Sequence, residues 1–231
     1  MRHQIEVIGH IETDFKEKFG IPRQSGIIKE LTGKIVFAKK YRNPDAIRGI
    51  EKFTHLWLLW QFSENVREDW DWSPTVRPPR LGGNEKKGVF ATRSPFRPNN
   101  IGLSCVELDH VEIDKDKGPL IFVRGADLLD GTPIYDIKPY IPYTDAQPQA
   151  TCSFAAAEWE RKLEVDFPEH LLTQIDESRR STLIKVLEQD PRPAYKEDSE
   201  NEYGLKFADY DVKFIVKEKT LRVTGVEVFQ S

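Results

Sequence analysis

Along the first two thirds of the chain, apolar residues come in short runs broken by glycine, proline, asparagine or aspartate. Residues 4–13 put Ile5, Val7 and Ile11 on one face of an extended segment, with Ile8 opposite. Further runs span residues 33–39, 54–62, 88–91, 103–113 and 120–124, and they are rich in Val, Ile, Phe and Trp. A two-residue period in β-branched and aromatic residues predicts strands, because alternate side chains leave opposite faces of a pleated backbone. One helical interlude is expected over residues 43–50, where Asn43 can cap and Pro44 can take the first helical position. Many short strands with few helices predict a barrel or a sandwich.

Near residue 160 the period changes. Leu171, Leu172, Ile175, Leu183, Val186 and Leu187 recur at helical spacing, which predicts one helix over residues 168–189, stopped by Asp-Pro-Arg-Pro at 190–193. Two alternating segments follow, over 211–217 and 221–229, joined by Lys-Glu-Lys-Thr as a hairpin loop. The expected fold is mainly β, with a large β domain over residues 1–165 and a small α+β domain over 166–231 built from a helix and a β-hairpin.

Composition adds little to this picture. Hydrophobic residues are 39% and charged residues 31%, the balance of a soluble globular protein. The most apolar run, Leu56 to Trp60, is far too short to cross a bilayer, and the first residues lack the apolar stretch of a secretory signal. Cys105 and Cys152 stand far apart with no CxxC and no Cys/His cluster, so neither a zinc site nor a disulfide framework is expected. These features predict a cytoplasmic protein with reduced thiols, no membrane association and no metal.

Charge changes the picture more. The net charge is −4, yet between Arg77 and Gly102 there are six bases (Arg77, Arg80, Lys86, Lys87, Arg93, Arg97) and one acid, Glu85. A basic patch on an acidic protein can hold a polyanion locally while the global charge limits non-specific binding. Glycine-rich dinucleotide and P-loop motifs are absent, as are HExxH and GxSxG. The remaining candidates are polar loops. In residues 19–27, Arg23 and Gln24 sit between Pro22 and Gly26; in residues 91–104, Pro95 and Pro98 fix the backbone around Arg93 and Arg97. A planar guanidinium aimed by a stiff loop suits a carboxylate or a phosphate. Asp130-Gly131-Thr132-Pro133 is a turn signal, after which Asp136, Lys138 and Tyr140 alternate toward one face, as a ligand site or as a structural ion pair. Arg192, in the linker at 190–195, is a second candidate contact for a polyanion.

Five ordered stretches, "PRQ" at 22–24, "RPPRLGGN" at 77–84, "GVFATRSPFRPNNIG" at 88–102, "DLLDGTPIYDIKPY" at 127–140 and "DPRPAY" at 190–195, resemble the TsaA-like family, whose bacterial members of this length are TrmO-type tRNA methyltransferases. The resemblance implies a β-barrel enzyme using S-adenosylmethionine to methylate N6 of N6-threonylcarbamoyladenosine beside the anticodon, working as a homodimer with the cofactor near the subunit interface. It places the cofactor against Pro22, Arg23, Gln24, Phe62, Ser63, Arg93, Leu103 and the turn Asp130, Gly131, Thr132 and Pro133. Methylation of a urea-like nitrogen releases a proton, and Asp136 and Tyr140 are the candidate bases. Arg97, Asn99, Lys86, Lys87, Lys138 and Arg192 are expected on the tRNA or substrate side. Ser63, Asn100 and Tyr135 stand where relatives often carry His, Pro and an aliphatic residue. The competing expectation is a non-catalytic RNA- or nucleotide-binding barrel.

Overall fold

The computed structural model describes residues 3–65, 72–78, 85–152, 162–192 and 201–229. Its first unit is built on β1 (Gly9–Thr13), β2 (Thr32–Phe37), β3 (His55–Gln61), the two-residue pair β4 (Thr75–Val76) and β5 (Lys87–Gly88), β6 (Ile101–Asp114), β7 (Gly118–Arg124) and β8 (Thr132–Pro139), followed by a single helical turn, α1 (Pro142–Asp145). Six of these strands close a barrel in the order β1-β2-β7-β6-β3-β8, each neighbouring pair antiparallel. The barrel expectation holds. Its interior is the set of alternate apolar residues: Ile11, Ile35, Leu56, Leu58, Val106, Ile121, Val123 and Ile134 are buried together. On β3 the alternation is strict, with Leu56, Leu58 and Trp60 inward and Trp57 and Leu59 outward.

Several boundaries differ from the sequence pattern. The first strand begins only at Gly9, and Ile5 and Val7 lie exposed before it. The 43–50 segment is two 3-10 turns, Pro44–Ile47 and Ile50–Lys52, separated by Gly49 at φ 89°, a left-handed conformation that ends the first turn. Asn43 caps as expected, accepting from the Asp45 amide at 3.0 Å. Of residues 88–91 only Gly88 is in a strand, the end of β5; Val89–Ala91 is a 3-10 turn closed by Thr92, whose amide and hydroxyl both donate to the Val89 carbonyl. His55 lies exposed on the barrel rather than in its core.

The second unit contains β9 (Glu164–Asp166), α2 (Glu169–Leu172), α3 (Glu177–Glu188), β10 (Tyr203–Phe207), β11 (Tyr210–Lys217) and β12 (Thr220–Val228). Its sheet runs β10-β11-β12-β9, with β9 parallel to β12. The hairpin between β11 and β12 turns at Glu218, φ 54°. Two strands therefore join the expected hairpin, and the expected single helix is two. Asp176 adopts an extended ψ of 134° and breaks the helix, while its amide donates to the Tyr210 hydroxyl at 3.1 Å. Apolar spacing runs through the break because Leu171, Ile175, Leu183, Val186 and Leu187 all bury against the same sheet.

The two units share one core. Phe15, Ile28 and Leu31, from the connection between β1 and β2, are buried with Leu205, Phe207, Phe214 and Leu221 of the second sheet. Phe15 meets Phe207 edge-on at 5.6 Å, and Phe19 stacks on Tyr203 and Phe214 at 6.4 Å each. The Ala208 amide donates to the Asp14 carbonyl at 2.7 Å, and Lys185 of α3 pairs with Glu30. Toward the barrel, the Gly26 amide donates to the Gly125 carbonyl and the Gly125 amide to the Leu31 carbonyl, at 2.9 and 2.7 Å. Residues 14–31 are thus a plank fastened to both units. Truncating a buried Phe leaves a cavity, so Phe15→Ala is expected to cost about 3–5 kcal/mol in urea denaturation. It should also raise amide exchange in β10 and at residues 18–26 more than in β6 and β7.

Candidate active site

Antiparallel closure brings one end of six strands together: β1, β3 and β7 finish there, and β2, β6 and β8 begin. Over this end lies a cavity of about 400 Å³. The plank supplies Pro22, Arg23 and Gln24; the end of β3 supplies Trp60, Phe62 and Ser63; the loop before β6 supplies Arg93 and Arg97; β6 adds Leu103, and the segment after β7 adds Asp127, Leu129 and Thr132. Nine residues singled out in the sequence, Pro22, Arg23, Gln24, Phe62, Ser63, Arg93, Arg97, Leu103 and Thr132, are brought together here from separate segments.

Local chemistry explains how the arginine loop holds its shape. Arg93 donates to the side-chain carbonyl of Gln24, which orients both groups. Arg97 donates to the Thr92 carbonyl at 2.9 Å, the Ser94 amide donates to the Thr92 hydroxyl at 3.2 Å, and Asn100 donates its side-chain amide to the Pro95 carbonyl at 2.8 Å. Asn100 thereby closes the loop across Pro95 and Pro98. Gly102 is required for a different reason: a Cβ there would lie 2.3 Å from the Trp60 indole, so the ring rests directly on the β6 backbone. Phe62 meets Trp60 edge-on at 4.3 Å and extends this aromatic wall.

Asp127 is the residue that sequence reasoning missed. It is partly buried at the cavity wall and accepts from the Ser104 hydroxyl at 2.6 Å; Ser104, itself buried, accepts from the Trp60 indole N–H at 3.0 Å. Burial pushes the Asp127 carboxyl up to about 6, against the opposing pull of the Ser104 hydroxyl, backbone amides and the positive charge of Arg93. The available signal was an aspartate between Ala126 and Leu128, two positions of buried character just past a strand. A built hydrogen-bond chain ending in a carboxyl at a cavity marks a functional group, because burying it without a use is costly.

Other expected site residues lie elsewhere. Asp130 accepts from the Thr13 amide and from Lys16, at 2.8 and 2.9 Å, so it fastens the turn to the end of β1. The amides of Asp130, Gly131 and Thr132 donate to the carbonyls of Phe15, Ile11 and Leu129, leaving no N–H in that turn to read a base edge. Pro133 continues into β8 opposite His10. Asp136 and Tyr140 do not line the cavity. A bulge in β8 opposite Leu59 and Trp60 aligns Ile134 and Ile137 with the inward Trp60 and Leu58, and leaves Asp136 outside, paired with Lys138 at 2.9 Å. Tyr140 packs on Trp57 at 5.7 Å. Lys86 is exposed away from the cavity, Lys87 pairs with Glu85, and the Asn99 carbonyl accepts from the Ile101 amide at 2.8 Å. Arg192 clamps Asp190 with two bonds, at 2.8 and 2.9 Å, its side chain is only 10% exposed, and it does not line the cavity. Residues 79–84 of the "RPPRLGGN" stretch and 193–195 of "DPRPAY" lie outside the described residues.

Residues 10–146 match the model of the tRNA-methyltransferase O N-terminal domain, and residues 160–229 match that of the TrmO C-terminal domain. The chain belongs to the tRNA-methyltransferase O family. A relative from Escherichia coli K12 named tRNA (adenine(37)-N6)-methyltransferase is 43% identical, the alignment covering 97% of each protein. A Pseudomonas aeruginosa PAO1 protein named as a putative S-adenosylmethionine-dependent methyltransferase is 38% identical over 92% of each. The crystal structure of TrmO from Pseudomonas aeruginosa superposes with a TM-score of 0.78 at 33% identity, covering 99% of this chain and 98% of that one.

The raised Asp127 carboxyl has a consequence that needs no ligand. A carboxyl near 6 when folded and about 3.9 when unfolded has no effect on stability below the unfolded value, destabilises the fold progressively as pH rises between the two, and does so fully above the folded value. Asparagine cannot ionise. Asp127→Asn is therefore expected to gain stability relative to the parent between pH 4 and pH 8, by roughly 3 kcal/mol at most, in urea titrations.

Proposed function

We propose that this cavity is the methyl-donor site of an S-adenosylmethionine-dependent tRNA methyltransferase acting on N6 of N6-threonylcarbamoyladenosine beside the anticodon. The observation that carries this reading is a cavity that joins an oriented arginine and a partly buried carboxylate to an aromatic and aliphatic wall, in a chain that matches the Escherichia coli tRNA methyltransferase over nearly its whole length. The donor set fits the cofactor. About 400 Å³ lies within the range of small-molecule sites. Arg93, held by Gln24, suits an amino-acid carboxylate, and Trp60, Phe62, Leu103 and Leu129 supply the apolar surface an adenine needs. When bound, the cofactor supplies an electrophilic methyl group on a sulfonium.

The chain's own work is positioning and proton removal. Two carboxylates line the cavity, Glu64 and Asp127. Glu64 sits on an exposed 3-10 turn within 4.0 Å of Lys18. Asp127 is partly buried, bonded to Ser104 and poised near neutrality, so we assign it to accept the N6 proton, in place of Asp136 and Tyr140. Arg97 and Arg23, which also line the cavity, face the anionic groups of the substrate. The competing phosphate-binding barrel is disfavoured because it leaves the apolar wall of Trp60, Phe62, Leu103 and Leu129 without a use.

We further propose that the enzyme acts in the cytoplasm as a homodimer through the outer face of β6, β3 and β8. Leu103 is paired with Leu59 there, Trp57 lies one row away, and Tyr143 beyond them is 91% exposed. The cofactor-binding unit is the barrel with its loops and ends before β9: Glu164 and Val165, expected in the first domain, pair with β12 and belong to the second unit. Light scattering should report a dimer, and Leu59→Glu should shift it to a monomer with an unchanged far-ultraviolet spectrum.

The deciding assay is mass spectrometry of threonylcarbamoylated tRNA incubated with protein and cofactor. A 14-dalton gain on the modified adenosine is expected, and its absence with folded protein defeats the reading. Asp127→Asn should lower kcat about a hundredfold or more and abolish a rise in rate through pH 6. Calorimetry should still show cofactor binding by Asp127→Asn and lose it in Arg93→Ala.

A further inference from the structure

The segments around β5 place aromatic rings on the surface where nothing in the donor site uses them. Phe90, between β5 and the arginine loop, is 72% exposed. Trp72, also exposed, lies 6.1 Å from it with ring planes 32° apart, and exposed Phe96 follows on the same loop. The Arg97 guanidinium sits 5.9 Å over the Phe90 ring, and Arg97 also lines the cavity. The shelf is therefore continuous with the donor site. Arg77, Lys86, Lys87 and Arg93 lie in the same stretch of chain with Glu85 as the one acid between Arg77 and Gly102.

Exposed apolar surface rimmed by charge marks an interaction site. Flat rings interleaved with guanidinium and ammonium groups complement one chemistry above others: unpaired bases on a phosphate backbone. Each base offers a face for stacking, and the phosphates meet the cations. A nucleotide entering a cavity of this depth must leave the stack of its neighbours. We propose that Phe90, flanked by Trp72 and Arg97, is a stacking shelf for the unpaired base next to the target nucleotide, replacing the stack that the target base vacates. This assignment rests on the tRNA-methyltransferase reading and extends it from the modified nucleotide to its neighbour.

The test uses the full chain and a threonylcarbamoylated anticodon stem-loop carrying 2-aminopurine beside the target. In the parent protein, binding should quench the 2-aminopurine fluorescence. Phe90→Ala should lose the quenching and weaken stem-loop binding about tenfold to a hundredfold, the range that loss of one base–aromatic stack produces. Cofactor affinity and oligomeric state should not change. Phe90→Trp should restore both signals, whereas Phe90→Leu, which keeps apolar area without an aromatic face, should not. Phe90→Ala that binds and quenches like the parent overturns the shelf while leaving the methyltransferase reading intact. Phe90→Ala that dissociates a dimer overturns it too and assigns the ring to a contact between copies. A parent protein that neither binds nor methylates the stem-loop removes the functional reading and the shelf with it.

Discussion

The arrangement of the molecule depends on one stretch of backbone being anchored at both ends. Residues 14–31 leave the barrel after β1, press Phe15, Phe19, Ile28 and Leu31 into the core of the second unit, and return to β2. Between these anchors they carry Pro22, Arg23 and Gln24 over the open end of the barrel. A free connection of this length would hold an arginine and a glutamine loosely. Burial of aromatic rings on one side and the hydrogen bonds from the Gly26 amide to Gly125 and from the Gly125 amide to Leu31 on the other leave it little freedom. Among the described residues none of the second unit lines the cavity, so it serves the site as the weight that holds the plank down.

With the plank in place, the cavity sets an exposed arginine beside a partly buried carboxyl. Arg93 is fixed from above by Gln24, and Asp127 from below by Ser104 and Trp60. Partial withdrawal of a carboxyl from water is unfavourable, and the fold tolerates it only because the hydroxyl and nearby cation offset part of that cost. The same balance puts the group's midpoint near 6, so at neutral pH it is mostly ionised and open to accept a proton. Stability is traded locally for chemical readiness.

Much of the fold was legible in the sequence, and the failures have common causes. Strands of the barrel announced themselves because each has one buried face, so Leu56, Leu58 and Trp60 could occur only at alternate positions. The helix break at Asp176 was invisible because α2 and α3 bury their apolar residues on the same sheet, and periodicity reports the face rather than continuity. Asp136, Lys138 and Tyr140 were correctly grouped, but a bulge decides which side of the barrel a group faces, and it left them outside. The residues named by the arginine and Pro-Arg-Gln motifs did converge on the cavity, since stiff loops carry their geometry locally. Asp127 escaped notice for the opposite reason. Its partners, Ser104 and Trp60, sit on two other segments, and only the closed barrel makes them neighbours.

The parallel pairing of β9 with β12 carries an implication for the order of assembly. β9 cannot find its partner until the helices and the hairpin between them have been made, since β12 is the last strand of its sheet. That sheet is also the surface on which Phe15, near the start of the chain, finds its burial. β12 therefore completes the core that immobilises a segment lying far before it in the chain. Until β12 is in place, Phe15 has no finished core to enter and Pro22–Gln24 lack a firm anchor on that side. Readiness of the site therefore waits on a strand far along the chain from the residues it steadies.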